Sequence, residues 1–295
     1  MKEIVVLSGK GGTGKTSVSA SIACLAKNCV IADCDVDAAD LYLLLQPEVT
    51  ERNVFIGGKT AIISPEKCSK CALCVKLCRF GAISRKDKEF VVEPLSCEGC
   101  GVCARFCPEN AIVMEDAVSG EWYVSNTRFG RFVHAKLGVS GENSGKLVTL
   151  IRNRAKQEAV ISGADYIITD GSPGIGCPVI ASVTGADYVL MVAEPTVSGI
   201  HDLDRLIKLI GHFGIKGGIV VNRADINRDK TAELEKLALA KKLDFLGKIP
   251  VDKNFVLSQI KGLSIMEYAD NSTSRIDAAR IIEEIWKKIT DVLNR

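Results

Sequence analysis

Five short stretches of mostly unbroken apolar residues stand out along the chain: Lys2 to Leu7, Cys29 to Ala32, Tyr166 to Thr169, Tyr188 to Val192 and Gly218 to Val221. They are shorter than buried helices, rich in Val and Ile, and flanked by glycine or charge, so they predict strands buried on both faces. Helical spacing fills the intervals. It is clearest over Thr16 to Lys27, through Val18, Ile22 and Leu25, and over Ile276 to Leu293, where Ile282, Ile285, Trp286, Ile289 and Leu293 share one face. Strand, helix and strand in succession require a parallel pair with a right-handed crossover. The expected fold class is α/β, a doubly wound and mostly parallel sheet covered on both faces.

From about Gly58 to Ala117 this pattern stops, and cysteine, glycine and charge take over. Here the chain repeats itself: Cys68, Cys71, Cys74, Cys78, Ala82 and Ile83 recur 29 residues later as Cys97, Cys100, Cys103, Cys107, Ala111 and Ile112. A fixed offset across six positions marks a duplicated unit. Trp122 to Leu137 then reads as extended chain returning to the main sheet, with Phe129, Arg131, Val133, Ala135 and Leu137 alternating against more polar neighbours. The expected division is residues 1–57 and 118–295 for the α/β domain and 58–117 for a small α+β insert.

Composition narrows the function classes. With 295 residues, 47% of them hydrophobic, a large core is available, and 38 Lys plus Arg against 36 Asp plus Glu leave a net charge of only +2. That is no electrostatic footprint for a polyanion, so no nucleic acid partner is expected. Met1 leads straight into the first strand with no room for a signal peptide, and no apolar run is long enough to span a bilayer. A cytoplasmic protein is expected. The last helix has only Lys287, Lys288 and Arg295 as basic residues near its end, so it is expected to pack on the sheet rather than lie on a membrane. Of the 12 cysteines, eight lie in the insert at metal-ligand spacing, which predicts ligands rather than disulfides.

The first strand opens into Gly9-Lys10-Gly11-Gly12-Thr13-Gly14-Lys15-Thr16, followed by Ser17 at the start of the first helix. Glycines between a strand and a helix let backbone N–H groups curl round phosphates, with the positive helix end behind them. Lys15 is placed to reach the β and γ phosphates. Thr16 is a ligand for Mg2+, with Asp35 and Asp170 at strand ends to hold the ion's water shell or orient an attacking water. The loop has an additional lysine, Lys10, and in this it resembles the deviant phosphate loop of the MinD, ParA, Mrp and nitrogenase-iron-protein ATPases. The resemblance covers the chain outside the insert and includes Asp33-Cys34-Asp35 and Asp170-Gly171-Ser172-Pro173-Gly174, which look like the two switch regions. It implies ATP hydrolysis in a homodimer that sandwiches ATP, with Lys10 reaching the partner subunit's phosphates. It also implies that Asn222 reads the adenine ring, a residue that equally suits capping a turn.

The run C-x2-C-x2-C-x3-C occurs twice, with the spacing by which bacterial ferredoxins hold two 4Fe-4S clusters, the fourth cysteine crossing to the other cluster. One cluster is therefore assigned to Cys68, Cys71, Cys74 and Cys107, the other to Cys97, Cys100, Cys103 and Cys78. Gly81, Gly99 and Gly101 would let amides approach the sulfurs. Zinc is the alternative metal, but it is usually held by separated cysteine pairs. Arg79 stands where the second run has Pro108, a departure from the ferredoxin pattern that removes no ligand. The segment resembles the two-cluster ferredoxins, and the whole chain is similar to MinD-type ATPases interrupted by such a domain.

Cys24 and Cys29 read as small buried apolar residues, and Cys34 sits between the acids Asp33 and Asp35. Cys177 follows Asp170 at the offset where the nitrogenase iron protein, in the resemblance, has a switch cysteine on a bridging cluster; a redox-sensitive or buried thiol is the other reading. His134, His201 and His212 show no metal-ligand spacing. The expected function is an ATPase that couples nucleotide state to electron transfer through two 4Fe-4S clusters, handing electrons to or from a redox partner. Two alternatives are a cluster assembly or carrier ATPase, and a MinD-like spatial organiser with a redox-sensing domain.

Overall fold

The computed structural model describes residues 1–138, 144–273 and 276–295. The chain runs β1 (Lys2–Leu7), α1 (Lys15–Ala26), β2 (Cys29–Asp33), α2 (Leu41–Leu45) and β3 (Glu48–Ile63). There follow α3 (Leu73–Leu77), β4 (Ile83–Lys86), β5 (Glu89–Val92), α4 (Val102–Arg105), β6 (Ile112–Thr127), β7 (Gly130–Leu137) and α5 (Ser144–Ser162). The last part is β8 (Tyr166–Asp170), α6 (Cys177–Val183), β9 (Tyr188–Ala193), α7 (Val197–His212), β10 (Lys216–Asn222), α8 (Arg228–Ala240), β11 (Asp244–Ile249), α9 (Asn254–Ile260), α10 (Ile265–Asp270) and α11 (Asp277–Leu293).

One sheet has the order β11-β10-β9-β1-β8-β2-β7-β6-β3. From β11 to β7 every neighbouring pair is parallel. The unbroken apolar runs are explained by burial on both faces. Ile4 and Val6 of β1 enter a core with Ile22 of α1 and Ile282, Ile285 and Ile289 of α11. Val5 and Leu7 enter a second core with Val179 of α6 and Leu203, Leu206 and Ile210 of α7. Alternate residues of β9 divide between the same two cores. This is the doubly wound arrangement, and it aligns the C-terminal ends of β1, β2 and β8 at one edge, where ligands bind in such sheets.

The extended chain expected over Trp122 to Leu137 is two strands rather than one, because Arg128 and Phe129 turn it between β6 and β7. A two-residue connection joins only antiparallel neighbours. That turn is buttressed by Arg128, whose guanidinium donates to the carbonyls of Leu44 (2.6 Å), Leu45 (2.8 Å) and Gly262 (3.1 Å) and pairs with Glu267.

Two compact units are present: residues 1–52, 122–136 and 144–295 form the α/β unit, and Asn53–Glu121, with a short stretch from Leu137, form the other. The second unit starts and ends a few residues outside the 58–117 stretch expected from composition. The reason is that β3 and β6 are each 16 residues long and run unbroken from one unit into the other. Within the insert, α3 and α4 occupy equivalent places in the two repeats, and β4 and β5 form a small antiparallel sheet. Backbone conformation repeats too. Lys70 and Gly99 (φ 60° and 63°), Ala72 and Gly101 (59° and 73°), and Gly81 and Asn110 (66° and 49°) are all left-handed.

Candidate functional site

The loop between β1 and α1 turns through Gly12 and Gly14, both left-handed, and Gly14 caps α1. A Cβ on Gly14 would strike the Asn222 side chain, so only glycine fits there. Lys15, the first residue of α1, is buried, and its Nζ lies 2.8 Å from Asp170 Oδ1 and 3.3 Å from Asp35 Oδ2. Thr16 Oγ1 donates to Asp170 Oδ2 at 2.9 Å, and Ser19, one turn further on, donates to Asp170 Oδ1 at 2.7 Å. The strand ends of β2 and β8 thus bring Asp35 and Asp170 to the lysine and threonine of the loop.

Three carboxylates face one ammonium here. Burial alone would lower the Lys15 pKa, but Asp170 and Asp35 outweigh it and hold it above its ordinary value. Burial pushes Asp35 up, against Lys15. Asp33 lies deeper: burial, and then the charge of Asp170, raise it well above the usual carboxylate range. One of its oxygens accepts from the Asp35 amide at 3.1 Å, and the other has no hydrogen-bond partner among the described residues. Such a nest of acids suits a divalent cation and its water shell.

Asn222, at the end of β10, donates from Nδ2 to the Thr13 carbonyl at 2.7 Å and accepts from the Arg223 amide. Its side chain ties β10 to the loop. Lys10 is half-buried and folded back on its own chain, 3.1 Å from Glu194 and 3.4 Å from Thr196 Oγ1. Glu194 also pairs with Arg223. A cleft runs from Gly11, Gly12, Lys15 and Thr16 past Asn222 to Pro250, Val251 and Phe255.

The sequence matches the CobQ/CobB/MinD/ParA nucleotide binding domain over residues 4–265. The chain belongs to this family. Among its relatives, the protein MJ0578 of Methanocaldococcus jannaschii is 36% identical over 76% of this chain and 79% of its own length. The septum site-determining protein MinD of Thermotoga maritima is 22% identical over 92% of this chain and 83% of its own. Among solved structures, MinD from Pyrococcus horikoshii, complexed with Mg-ADP, superimposes with a TM-score of 0.61 at 15% identity, over 99% of this chain and 96% of that one. At that identity it speaks for the fold alone. A MinD/ParA-type P-loop domain over nearly the whole chain is therefore established.

The insert of this MinD/ParA-type chain contains two cavities. One is lined by Cys68, Cys71, Cys74 and Cys107, the other by Cys97, Cys100, Cys103 and Cys78. These are the two sets assigned from the spacing, including the crossing of each fourth cysteine. The two cavities are equal in size, about 20 Å3 each, in keeping with the duplication. All eight thiols are free of disulfides. Burial raises the pKa of Cys74 and Cys103, which hold the same place in the two runs. The Ala111 amide points at Cys107 Sγ at 3.3 Å. Among the described residues no three His, Cys, Asp or Glu side chains converge closely enough to hold a single metal ion. A cubane asks for something else, since each thiolate binds a different iron at a different corner.

The remaining residues divide cleanly. Cys29 and Cys34 are buried and Cys24 packs on the core. Cys177 is exposed at the start of α6. His134 stacks with Tyr123 and Phe132, and its Nε2 meets Ser125 Oγ at 2.9 Å. No helix among the described residues is long and apolar enough to cross a membrane. Three site residues were not anticipated from sequence. Ser19 could have been found, since it lies four residues after Lys15 on the same helical face; Glu194 and Arg223 could not, being far from Lys10 in sequence.

Proposed function

We propose that this chain is an ATP-hydrolysing iron-sulfur protein in which nucleotide state is coupled to electron transfer through two 4Fe-4S clusters. The observation that carries the reading is the grouping of eight thiols round two cavities, four to each, with the fourth cysteine of each run exchanged. Cys68, Cys71, Cys74 and Cys107 would hold one cluster, and Cys97, Cys100, Cys103 and Cys78 the other. Such clusters supply reversible one-electron transfer at potentials tuned by nearby charge, amides and exposure.

At the phosphate loop, Lys15 would exchange its bond with Asp170 for the β and γ phosphates of ATP, releasing Asp170 to orient water around Mg2+ held by Thr16 and Asp35. The loop amides bind phosphate, and Asn222 turns from Thr13 toward the base. Lys10 leaves Glu194 to act across a homodimer, as the family resemblance implies. The coupling route is covalent: β3 and β6 each run between the α/β unit and the insert, and β6 leads into Arg128, which grips the end of α2 beside Leu43 and Leu44 of the nucleotide cleft.

One observation favours a cluster carrier instead, the exposure of Cys71 and Cys100. Complete four-thiol sets favour retention. The spatial-organiser reading draws on relatives named as septum site-determining proteins, and needs a partner or surface on which to polarise. Anaerobic purification separates the readings: about eight iron atoms per chain and a reduced spectrum of two interacting cubanes are expected. Stoichiometric zinc, or four irons, would overturn the two-cluster assignment.

A further inference from the structure

The two halves of the insert share a backbone but not a charge. Between Lys67 and Lys86 the first half has Lys67, Lys70, Lys76, Arg79, Arg85 and Lys86 and no acidic residue. The equivalent stretch 29 residues later, Ser96 to Glu115, has Glu98, Glu109 and Glu115 against Arg105 alone. All six cations of the first half are exposed. None pairs with a carboxylate among the described residues; Arg85 donates to the Asp87 carbonyl, and Arg79 lies 5.8 Å from the Phe80 ring. In a chain whose total charge is near zero, six neighbouring cations left without counter-charges are a local feature with its own cause.

Apolar side chains lie among them. Leu73 and Leu77 of α3 are each 37% exposed and Phe80 is 43% exposed. Leu73 lines one cysteine cavity, and Leu77 and Phe80 line the other. Exposed apolar side chains that line the thiol cavities, on a stretch that also carries six exposed cations, are suited to bringing a second redox centre close to the first. Rim charge steers encounter and sets orientation.

We propose that the basic half of the insert is the docking surface for a one-electron carrier protein with an acidic face. The proposal rests on the two-cluster reading for its redox step, in which one electron leaves the reduced member of the pair and enters the oxidised one, a flavin acceptor taking one proton from water as its neutral semiquinone forms. Protein is favoured over nucleic acid because the cations are interspersed with exposed leucines, whereas single-stranded nucleic acid is held by stacking platforms and the stretch from Lys67 to Lys86 has a single aromatic residue, Phe80.

Flavodoxin, an acidic one-electron flavoprotein, is the probe. Its binding to the full anaerobic chain is measured by calorimetry at about 0.01 M and about 1 M salt, where the screening length falls from about 30 to about 3 Å, and electron exchange is followed by appearance of the flavin semiquinone. Lys76→Glu, Arg85→Glu and Lys86→Glu together are expected to weaken binding roughly tenfold or more at low salt, with iron content and ATP hydrolysis unchanged, and high salt should abolish the difference. If the triple variant loses iron, Lys86→Glu alone must still weaken binding in the same direction. Binding indifferent to the reversals overturns the proposal. So does tighter binding of a single-stranded oligonucleotide at equal salt, or a demonstration that the reversals act only by breaking self-association. An iron-free chain that still binds flavodoxin through these charges would remove the cluster reading and leave the docking surface standing.

Discussion

In the α/β unit the strands bury both faces, and even the phosphate site closes on itself, with Lys15 between Asp170 and Asp35. In the insert the buried apolar side chains among the described residues are Phe55, Ala61, Ala82, Ile83, Ala111 and Ile112, and thiols line what would be its middle. The first unit has an apolar core independent of any ligand. The second has few large buried side chains for a fold of its size, and on the proposed two-cluster reading the groups held by its thiols would contribute to its folding. Function divides the same way: the nucleotide site can exchange its occupant, whereas the cysteine sites are part of the structure that surrounds them.

The largest effect expected from this contrast comes from removing the clusters. Cys74→Ser with Cys103→Ser should lower amide protection across 53–121 by roughly 10^3-fold, about 4 kcal/mol, while the α/β unit keeps its protection. Hydrogen exchange checks it; equal loss in both units would break the comparison. Next, Lys15→Ala should reduce ATP hydrolysis by about 10^2 to 10^3, the usual effect of removing one group that stabilises transition-state charge, with iron content intact. Lys10→Ala should abolish ATP-dependent dimerisation yet leave nucleotide binding within a few-fold. Sedimentation with and without ATP, beside an iron assay, decides both.

Acid stability gives a smaller effect confined to the α/β unit. Burial lowers the His134 pKa from 6.5 to about 4, so between those values the unfolded chain binds a proton that the folded one refuses. Stability is therefore lost as pH falls from about 6.5 to about 4, by up to about 3 kcal/mol. His134→Gln should flatten that limb in urea titrations and leave iron retention by the insert unchanged. Smallest is a test within the insert. Ala72 is left-handed where its repeat partner is Gly101, so Ala72→Gly should stabilise the iron-loaded insert by about 0.5 to 1 kcal/mol. Gly99→Ala should do the reverse, because its Cβ would strike the Lys59 carbonyl.

What could be read from sequence follows the physics of each region. Strands buried on both faces announce themselves as apolar runs, and β1, β2, β8, β9 and β10 were found within two residues of their bounds. Cysteine spacing is local, and the grouping it suggested is the one in which the cysteines line the two cavities. β3 and the part of β6 before Trp122 were missed because half-buried strands containing Glu48, Glu51 and Arg52, or Glu115 and Asp116, offer no apolar run, and the split of Trp122 to Leu137 was missed because the turn at Arg128 and Phe129 has no glycine or asparagine at its two central positions. The contacts of Lys10 with Glu194 and of Arg128 with Leu44 and Leu45 join distant parts of the chain, and no periodicity reports them.

Coupling between the two units is the central claim, and a redox titration of the clusters measures it directly. It is run with no nucleotide, with ADP and with a non-hydrolysable ATP analogue, beside Lys15→Ala as the uncoupled reference. A coupling free energy of about 1 to 3 kcal/mol corresponds to a one-electron potential shift of roughly 45 to 130 mV between nucleotide states, and reciprocity requires reduced protein to bind ATP with an affinity changed by the same free energy. Three superimposable curves, with ATP affinity the same for oxidised and reduced protein, would contradict the account and leave an ATPase and a cluster domain that merely share a chain.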